Sequence, residues 1–272
     1  MTNSGQHAPR ADEAFDFSGS AVLIAGGTSG VGLATAIAFA QTGCRRLMLL
    51  GRSEERGKRA VDRVFESVPG AQAEFLSADA NDPAAAVEAA AEVHRRLGAI
   101  DVLVNSVVSP YQPTLFHEIT AEAVRDILTA QALGPLLMSR AVISFMRERG
   151  TGSIINIASD AAKVPTPGEA CLSAAMAAIV TFSRTLALEA KRYGVRVNAI
   201  TPSLIVDTGS FDRVMSQSHE FSRKIFERIT AQAHLGLTEP ADLANLVLFL
   251  ASPLARLITG QVISVNGGIS IA

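Results

Sequence analysis

Ser159 closes an Ile-rich run, Gly152-Ser153-Ile154-Ile155-Asn156-Ile157-Ala158, of the kind that forms a strand buried on both faces of a parallel sheet. The carboxyl end of such a strand borders the ligand crevice of an open α/β sheet, so the Ser159 hydroxyl is expected to face whatever binds there. A loop punctuated by Pro165, Pro167 and Gly168 follows, and then an alanine-rich helix whose first turns face the same crevice. On that helix Leu172 and Met176, four residues apart, share one face. Neither side chain can give or take a proton. The stretch thus offers a hydroxyl for recognition beside a wall without acid or base.

A second constellation suits phosphate. The run Gly26-Gly27-Thr28-Ser29-Gly30-Val31-Gly32 joins a strand-like segment, 20–25, to a helix-like segment reaching about Thr42. Glycines in such a turn let the backbone approach a pyrophosphate, which the helix N-terminus then stabilises. They also serve tight turns and close helix packing. The next strand, 46–51, ends in Gly51-Arg52-Ser53, where an acidic residue would hold the ribose 2′-hydroxyl of NAD. A guanidinium there suits the 2′-phosphate of NADP; the alternative is a solvated arginine at a helix start.

These groups need a frame, and the alternation of strand and helix patterns supplies one. Further strands are expected at 73–78, ending at Asp79-Ala80, and at 101–105, 154–157, 195–200 and 261–265. Helices are expected at 83–97, 120–149 (continuous or broken), from Gly168 to Tyr193-Gly194, and at 240–251. The more polar segment 209–233 reads as a mobile lid. The expected fold class is α/β, a Rossmann-type doubly wound parallel sheet with helices on both faces. One domain over 17–272 follows a polar, flexible N-terminal arm, 1–16, that lacks a signal-peptide core.

Composition narrows the functions. The chain has 272 residues, 48% hydrophobic and 18% charged, with net charge −2 and no basic run, so nucleic acid and anionic membranes are poor partners. The apolar runs look too short to span a bilayer. Two cysteines, Cys44 and Cys171, imply a reduced, cytoplasmic protein. Cys171 reads as a small buried hydrophobe rather than a nucleophile. Five scattered histidines lack metal-ligand spacing, so no metal site is expected.

From about Phe17 to Ala272 the chain resembles a short-chain dehydrogenase/reductase of the single-domain type. The resemblance is carried by the turn Gly26–Gly32, Asp79, Asn105, Gly134, the run Gly152–Ser159, Tyr193-Gly194-Val195-Arg196-Val197-Asn198, Pro202, and Thr259-Gly260-Gln261 through Gly267-Gly268. It implies a seven-stranded sheet, a dimer or tetramer, and hydride transfer between a nicotinamide and a carbonyl or alcohol. It implies a cofactor path along Gly26, Ser29, Gly30, Val31, Gly32, Arg52, Asp79, Ala80 and Asn105.

In that family an Asn, a Ser, a Tyr and a Lys carry the reaction, with the Tyr hydroxyl exchanging the proton. Carried onto this chain, the Ser is Ser159, the Asn position is Gln131, the Tyr position Leu172 and the Lys position Met176. A slip of one residue would put the pair on Cys171 and Ala175, again without Tyr or Lys.

The cofactor side departs too. Ala25 replaces a Thr, Val107 and Val108 replace Ala and Gly, and Ser203 follows Pro202 where the family has Gly. Asp207 falls about where a Thr would meet the pyrophosphate, which is electrostatically unfavourable. Tyr111, His117, Asp160, Lys163 and Ser173 are the candidates for a substitute acid.

The first reading is therefore a non-catalytic subunit that keeps its oligomer faces and pairs with an active paralogue in a heteromeric dehydrogenase. The alternative is an atypical NADP(H)-dependent oxidoreductase that acts on a carbonyl, imine or enone small molecule without the usual Tyr.

Overall fold

The computed structural model describes residues 15–107, 109–217 and 220–272. The expected arm lies outside the described residues except for its last two positions, and Val108 lies outside them as well. From Phe17 the chain is anchored: its backbone N–H donates to the Thr42 carbonyl at 3.0 Å, and its buried ring meets Phe39 edge-on at 4.9 Å.

Seven parallel strands form one sheet: β1 (Ala21–Ala25), β2 (Arg46–Gly51), β3 (Ala73–Ser77), β4 (Val102–Asn105), β5 (Gly152–Ile157), β6 (Val195–Pro202) and β7 (Val262–Val265). Their order is β3-β2-β1-β4-β5-β6-β7. The chain reverses direction of winding between β1 and β4, the place where ligands bind in doubly wound sheets.

Helices α1 (Gly30–Gln41), α2 (Glu54–Ser67) and α8 (Pro240–Ala251) cover one face, and α3 (Pro83–Leu97), α4 (Ala121–Arg149) and α5 (Ala170–Ala190) the other. Strand periodicity divides the core accordingly. Val22, Ile24, Leu47 and Leu49 enter the first layer, whereas Ala21, Leu23, Met48 and Leu50 enter the second.

Local chemistry fixes the ends of these elements. Ser53 accepts the Arg56 N–H at the start of α2, and Asp82 accepts the Ala85 N–H before Pro83. Gly194, at φ 73°, ends the turn after α5 as expected. The guanidinium of Arg196 donates to the carbonyls of Leu250, Ala251 and Ser252, capping the end of α8. Burial pulls its pKa down to about 10.

The polar segment expected as a mobile lid forms two helices, α6 (Gly209–Gln217) and α7 (Glu220–Thr230), with residues 218–219 outside the described set. One expectation needs correction: α4, and α5 with its short continuation to Tyr193, are long and apolar enough to cross a membrane. Counting unbroken apolar runs overlooked how far alanine raises hydropathy. Here each of the two helices contributes buried residues to the layer on the sheet.

Helix α4 is continuous through Pro135. Proline has no N–H to give the Gln131 carbonyl. The Pro135 carbonyl, in turn, accepts from Ser139 Oγ at 2.7 Å and from Asn105 Nδ2 at 3.3 Å.

Candidate functional site

A cleft of about 650 Å³ opens at the carboxyl ends of β1, β4, β5 and β6. Its first half begins at the glycine turn. Gly26 has φ +81°, and a Cβ there would lie 2.3 Å from the Ser106 carbonyl oxygen, so only glycine fits between the two strand ends. Ser29 precedes α1 in extended conformation and makes no side-chain capping bond, which leaves the first N–H groups of α1 without a side-chain cap. Gly30 and Val31 line the cleft beside it. Gly32 serves differently: a Cβ there would lie 2.2 Å from the Gly26 carbonyl, so it permits close helix packing rather than ligand contact.

Arg52 lines the same half, and so does Arg56, whose Nη2 donates to Ser29 Oγ at 3.2 Å. Two guanidinium groups thus flank the end of β2. Asp79, Ala80 and Asn81 form the adjacent wall, with Asp79 Oδ1 accepting the Asn81 N–H at 3.0 Å. The Asn81 side-chain oxygen is buried without a hydrogen-bond partner among the described residues.

Asn105 is placed otherwise than expected for a cofactor contact. It shares a strand face with Leu103, two residues before it, and so points into the α4 layer, fully buried. Its amide donates to Pro135 O, Ser139 Oγ and, at 2.8 Å, Asn156 Oδ1. Asn156 donates to Ser183 Oγ at 2.8 Å. This buried polar ladder ties α4 and α5 to the sheet and thereby sets the position of the cleft wall.

Asp207 also departs from expectation. It is exposed and adopts φ 56°, which turns the chain so that Thr208 faces the cleft instead. The Thr208 methyl carbon is 3.5 Å from where a Gly30 Cβ would be. Its hydroxyl donates to the Ile205 carbonyl and accepts the Phe211 N–H. A hydroxyl therefore stands opposite the glycine turn, and the expected carboxylate clash is absent. From α6 and α7, Phe211, Arg213 and Phe226 close this side. Arg213 Nε is buried with no partner among the described residues, although Nη2 donates to Ser210 Oγ.

The second half of the cleft brings together the four positions singled out around Ser159. Ser159 lines the cleft, and its Oγ accepts the Ala161 N–H at 3.2 Å, leaving the hydroxyl proton available. Gln131 lines it too, with Nε2 committed to the Ser109 carbonyl at 3.0 Å. Leu172 and Met176 form an apolar wall on α5. Val107 lines the cleft as expected but does not fill it.

Most of the substitute acids are otherwise engaged. Tyr111 lines the cleft, but its hydroxyl donates to the Gly168 carbonyl at 2.5 Å. Burial first, then the negative charge of Glu169, pushes its pKa up to about 12. Asp160 is buried among Asn266, Ser264 and Ser270, with Lys163 Nζ 3.6 Å away. That pair anchors the last residues of the chain. His117 is exposed beside Glu118. Cys171 is buried as a free thiol. Neither it nor Ser173 lines the cleft.

Glu169 escaped the sequence reading. It directly precedes α5, lines the cleft, and has its pKa pushed up to about 7 by burial, with a Thr166 hydrogen bond opposing. Its spacing of three residues before Leu172 is the signal that places it on the same helix face.

A family described as enoyl-(acyl carrier protein) reductase matches residues 25–270. The chain is 31% identical to 2,3-dihydro-2,3-dihydroxybenzoate dehydrogenase of Bacillus subtilis, over 93% of this chain and 97% of that protein. It is 33% identical to acetoacetyl-CoA reductase of Shinella zoogloeoides, over 90% and 96%. Among solved structures, an NADPH-bound short-chain oxidoreductase from Pseudomonas aeruginosa PAO1, described as containing an atypical catalytic centre, superposes with TM-score 0.85. The two are 29% identical, with 94% of this chain and 99% of that one covered.

Proposed function

Because the chain belongs to the short-chain dehydrogenase/reductase family, we propose that it is an NADP(H)-dependent oxidoreductase acting on a carbonyl, imine or enone small molecule without the family's Tyr–Lys pair. One observation carries the reading: the cleft stays open past Leu172 and Met176, and Gly26, Ser29, Gly30, Val31, Arg52, Asp79 and Ala80 line its other half. The likeness to an NADPH-bound oxidoreductase with an atypical centre supports it.

The residues present fit a dinucleotide phosphate. Gly26 makes the close backbone approach possible, the N-terminus of α1 offers unpaired N–H groups, and Thr208 stands opposite. The unspent Arg213 Nε and the pair Arg52 and Arg56 supply cationic donors, the latter two for a 2′-phosphate. When bound, the nicotinamide supplies the hydride. Ser159 then has its hydroxyl free to donate a hydrogen bond to a substrate oxygen or nitrogen and polarise it, while Leu172 and Met176 exclude water and hold an apolar substrate face.

The test is oxidation of NADPH with a panel of ketones, enones and cyclic imines, alongside NADPH binding by calorimetry. Substrate-dependent oxidation supports the reading; binding without turnover of any member contradicts it.

A second reading, a non-catalytic subunit of a hetero-oligomer with an active paralogue, draws on the outer faces of α4 and α5. Leu128 and Leu188 are 37% and 63% exposed there. Native mass measurement of the protein isolated from its own cells, showing a related chain bound, would favour it.

A further inference from the structure

We propose that the Glu169 carboxyl, at the start of α5 and one turn before Leu172, is the catalytic group that exchanges the proton with the substrate in this cleft. The proposal rests on the oxidoreductase reading above. Three observations converge on it. Glu169 occupies the capping position of α5 yet makes no side-chain capping bond, so its carboxyl is not spent on the helix. It lines the cleft together with Ser159, Leu172 and Met176, on the face where a substrate would lie. And among the described ion pairs none involves it, so no cation fixes it as a carboxylate.

The ionisable groups sharing the cleft are Tyr111 and, toward the glycine turn and α6, Arg52, Arg56, Asp79 and Arg213. Tyr111 gives its proton to the Gly168 carbonyl and is held at about 12, too weak an acid for the task. The arginines are permanent cations. Cys171, two residues on in α5, is buried. Burial lifts Glu169 to about 7, so near neutral pH it populates both the acid and the base form, which is what reversible proton transfer needs.

In the reducing direction, hydride from NADPH adds to the carbonyl or imine carbon. The carbon–heteroatom π pair becomes a lone pair on oxygen or nitrogen and takes the Glu169 proton. The products are alcohol or amine, NADP⁺ and the Glu169 carboxylate, which regains a proton from solvent. In the oxidising direction the carboxylate is the base.

The experiment compares wild type, Glu169→Gln and Glu169→Asp in kcat/KM for NADPH-dependent reduction of the same panel from pH 5.5 to 9. NADPH affinity is measured by calorimetry and the carboxyl C=O stretch by infrared spectroscopy. Wild-type reduction should fall about tenfold per pH unit above about pH 7, and Glu169→Gln should lose about 10²–10⁴-fold with no such fall. Glu169→Asp should recover part of the rate, and NADPH affinity should be equal in all three. A protonated-carboxyl band should vanish between pH 6 and pH 8 in wild type and be missing in Glu169→Gln.

A Glu169→Gln enzyme with wild-type rate and pH profile, or the absence of that band, overturns the proposal and leaves the oxidoreductase reading standing. Failure of wild type itself to bind NADPH or turn over the panel overturns the reading, and the proposal with it.

Discussion

Replacing Glu169 by Gln should change the way stability depends on pH, whatever the substrate. In the unfolded chain the carboxyl titrates at its ordinary 4.5; in the fold burial holds it at about 7. Below about pH 4 both states keep the proton and Glu169 contributes no difference. Between the two values the native state retains a proton that the unfolded state has released, so stability is lost as pH rises through this window. Above it the loss is constant.

At about 1.36 kcal/mol per pH unit the separation sets an upper bound of about 3.4 kcal/mol. The side chain is partly exposed, and solvent relaxation reduces the figure to about 2 kcal/mol. Urea unfolding at pH 4 and pH 8.5 should therefore show Glu169→Gln close to wild type at the lower pH. At the higher pH it should be about 2 kcal/mol more stable. The difference between the two proteins isolates this residue, since every other titrating group is common to both. Parallel pH curves would refute the claim that a desolvated, unpaired carboxyl sits in the cleft wall.

Other outcomes follow from single contacts. Gly26→Ala forces a Cβ to 2.3 Å from a backbone oxygen at φ +81°, and should cost more than about 2 kcal/mol in urea unfolding and abolish NADPH binding. Arg52→Ala should weaken NADPH about tenfold and leave NADH unchanged, read by calorimetry. Asn156→Leu severs the ladder to Asn105 and Ser183, and unfolding should show a loss of about 2–4 kcal/mol. Cys44 is buried and its thiol is pushed up to about 11, so a thiol reagent at pH 8 should label it only after denaturation.

Much of the fold was legible because buried parallel strands are written as Val-, Ile- and Leu-rich runs, and β2, α3 and α8 begin and end where the pattern places them. The two halves of the cleft were legible for the same reason, since Gly26–Val31 and Ser159 end such runs. What escaped depended on conformation. Counting along the loop after β6 put a carboxylate opposite the glycine turn, but the positive φ at Asp207 rotates the chain by one residue and presents Thr208. Asn105 ends a strand beside the crevice, yet the period of two that it shares with Leu103 directs it into the core, a signal the sequence does contain. Glu169 reads as one more loop acid; its burial in the cleft wall, which the fold produces, is what pushes its pKa up. Arg56 becomes a cleft residue because α2 starts directly after its Ser53 cap and brings its first turn back toward Ser29.

The most direct test of the account is a calorimetric titration of the purified chain with NADPH and, in parallel, NADH. The open cleft, the glycine turn and the Arg52–Arg56 pair predict saturable NADPH binding at least about tenfold tighter than NADH. Binding of neither nucleotide would contradict the central claim that this cleft still works as a dinucleotide site.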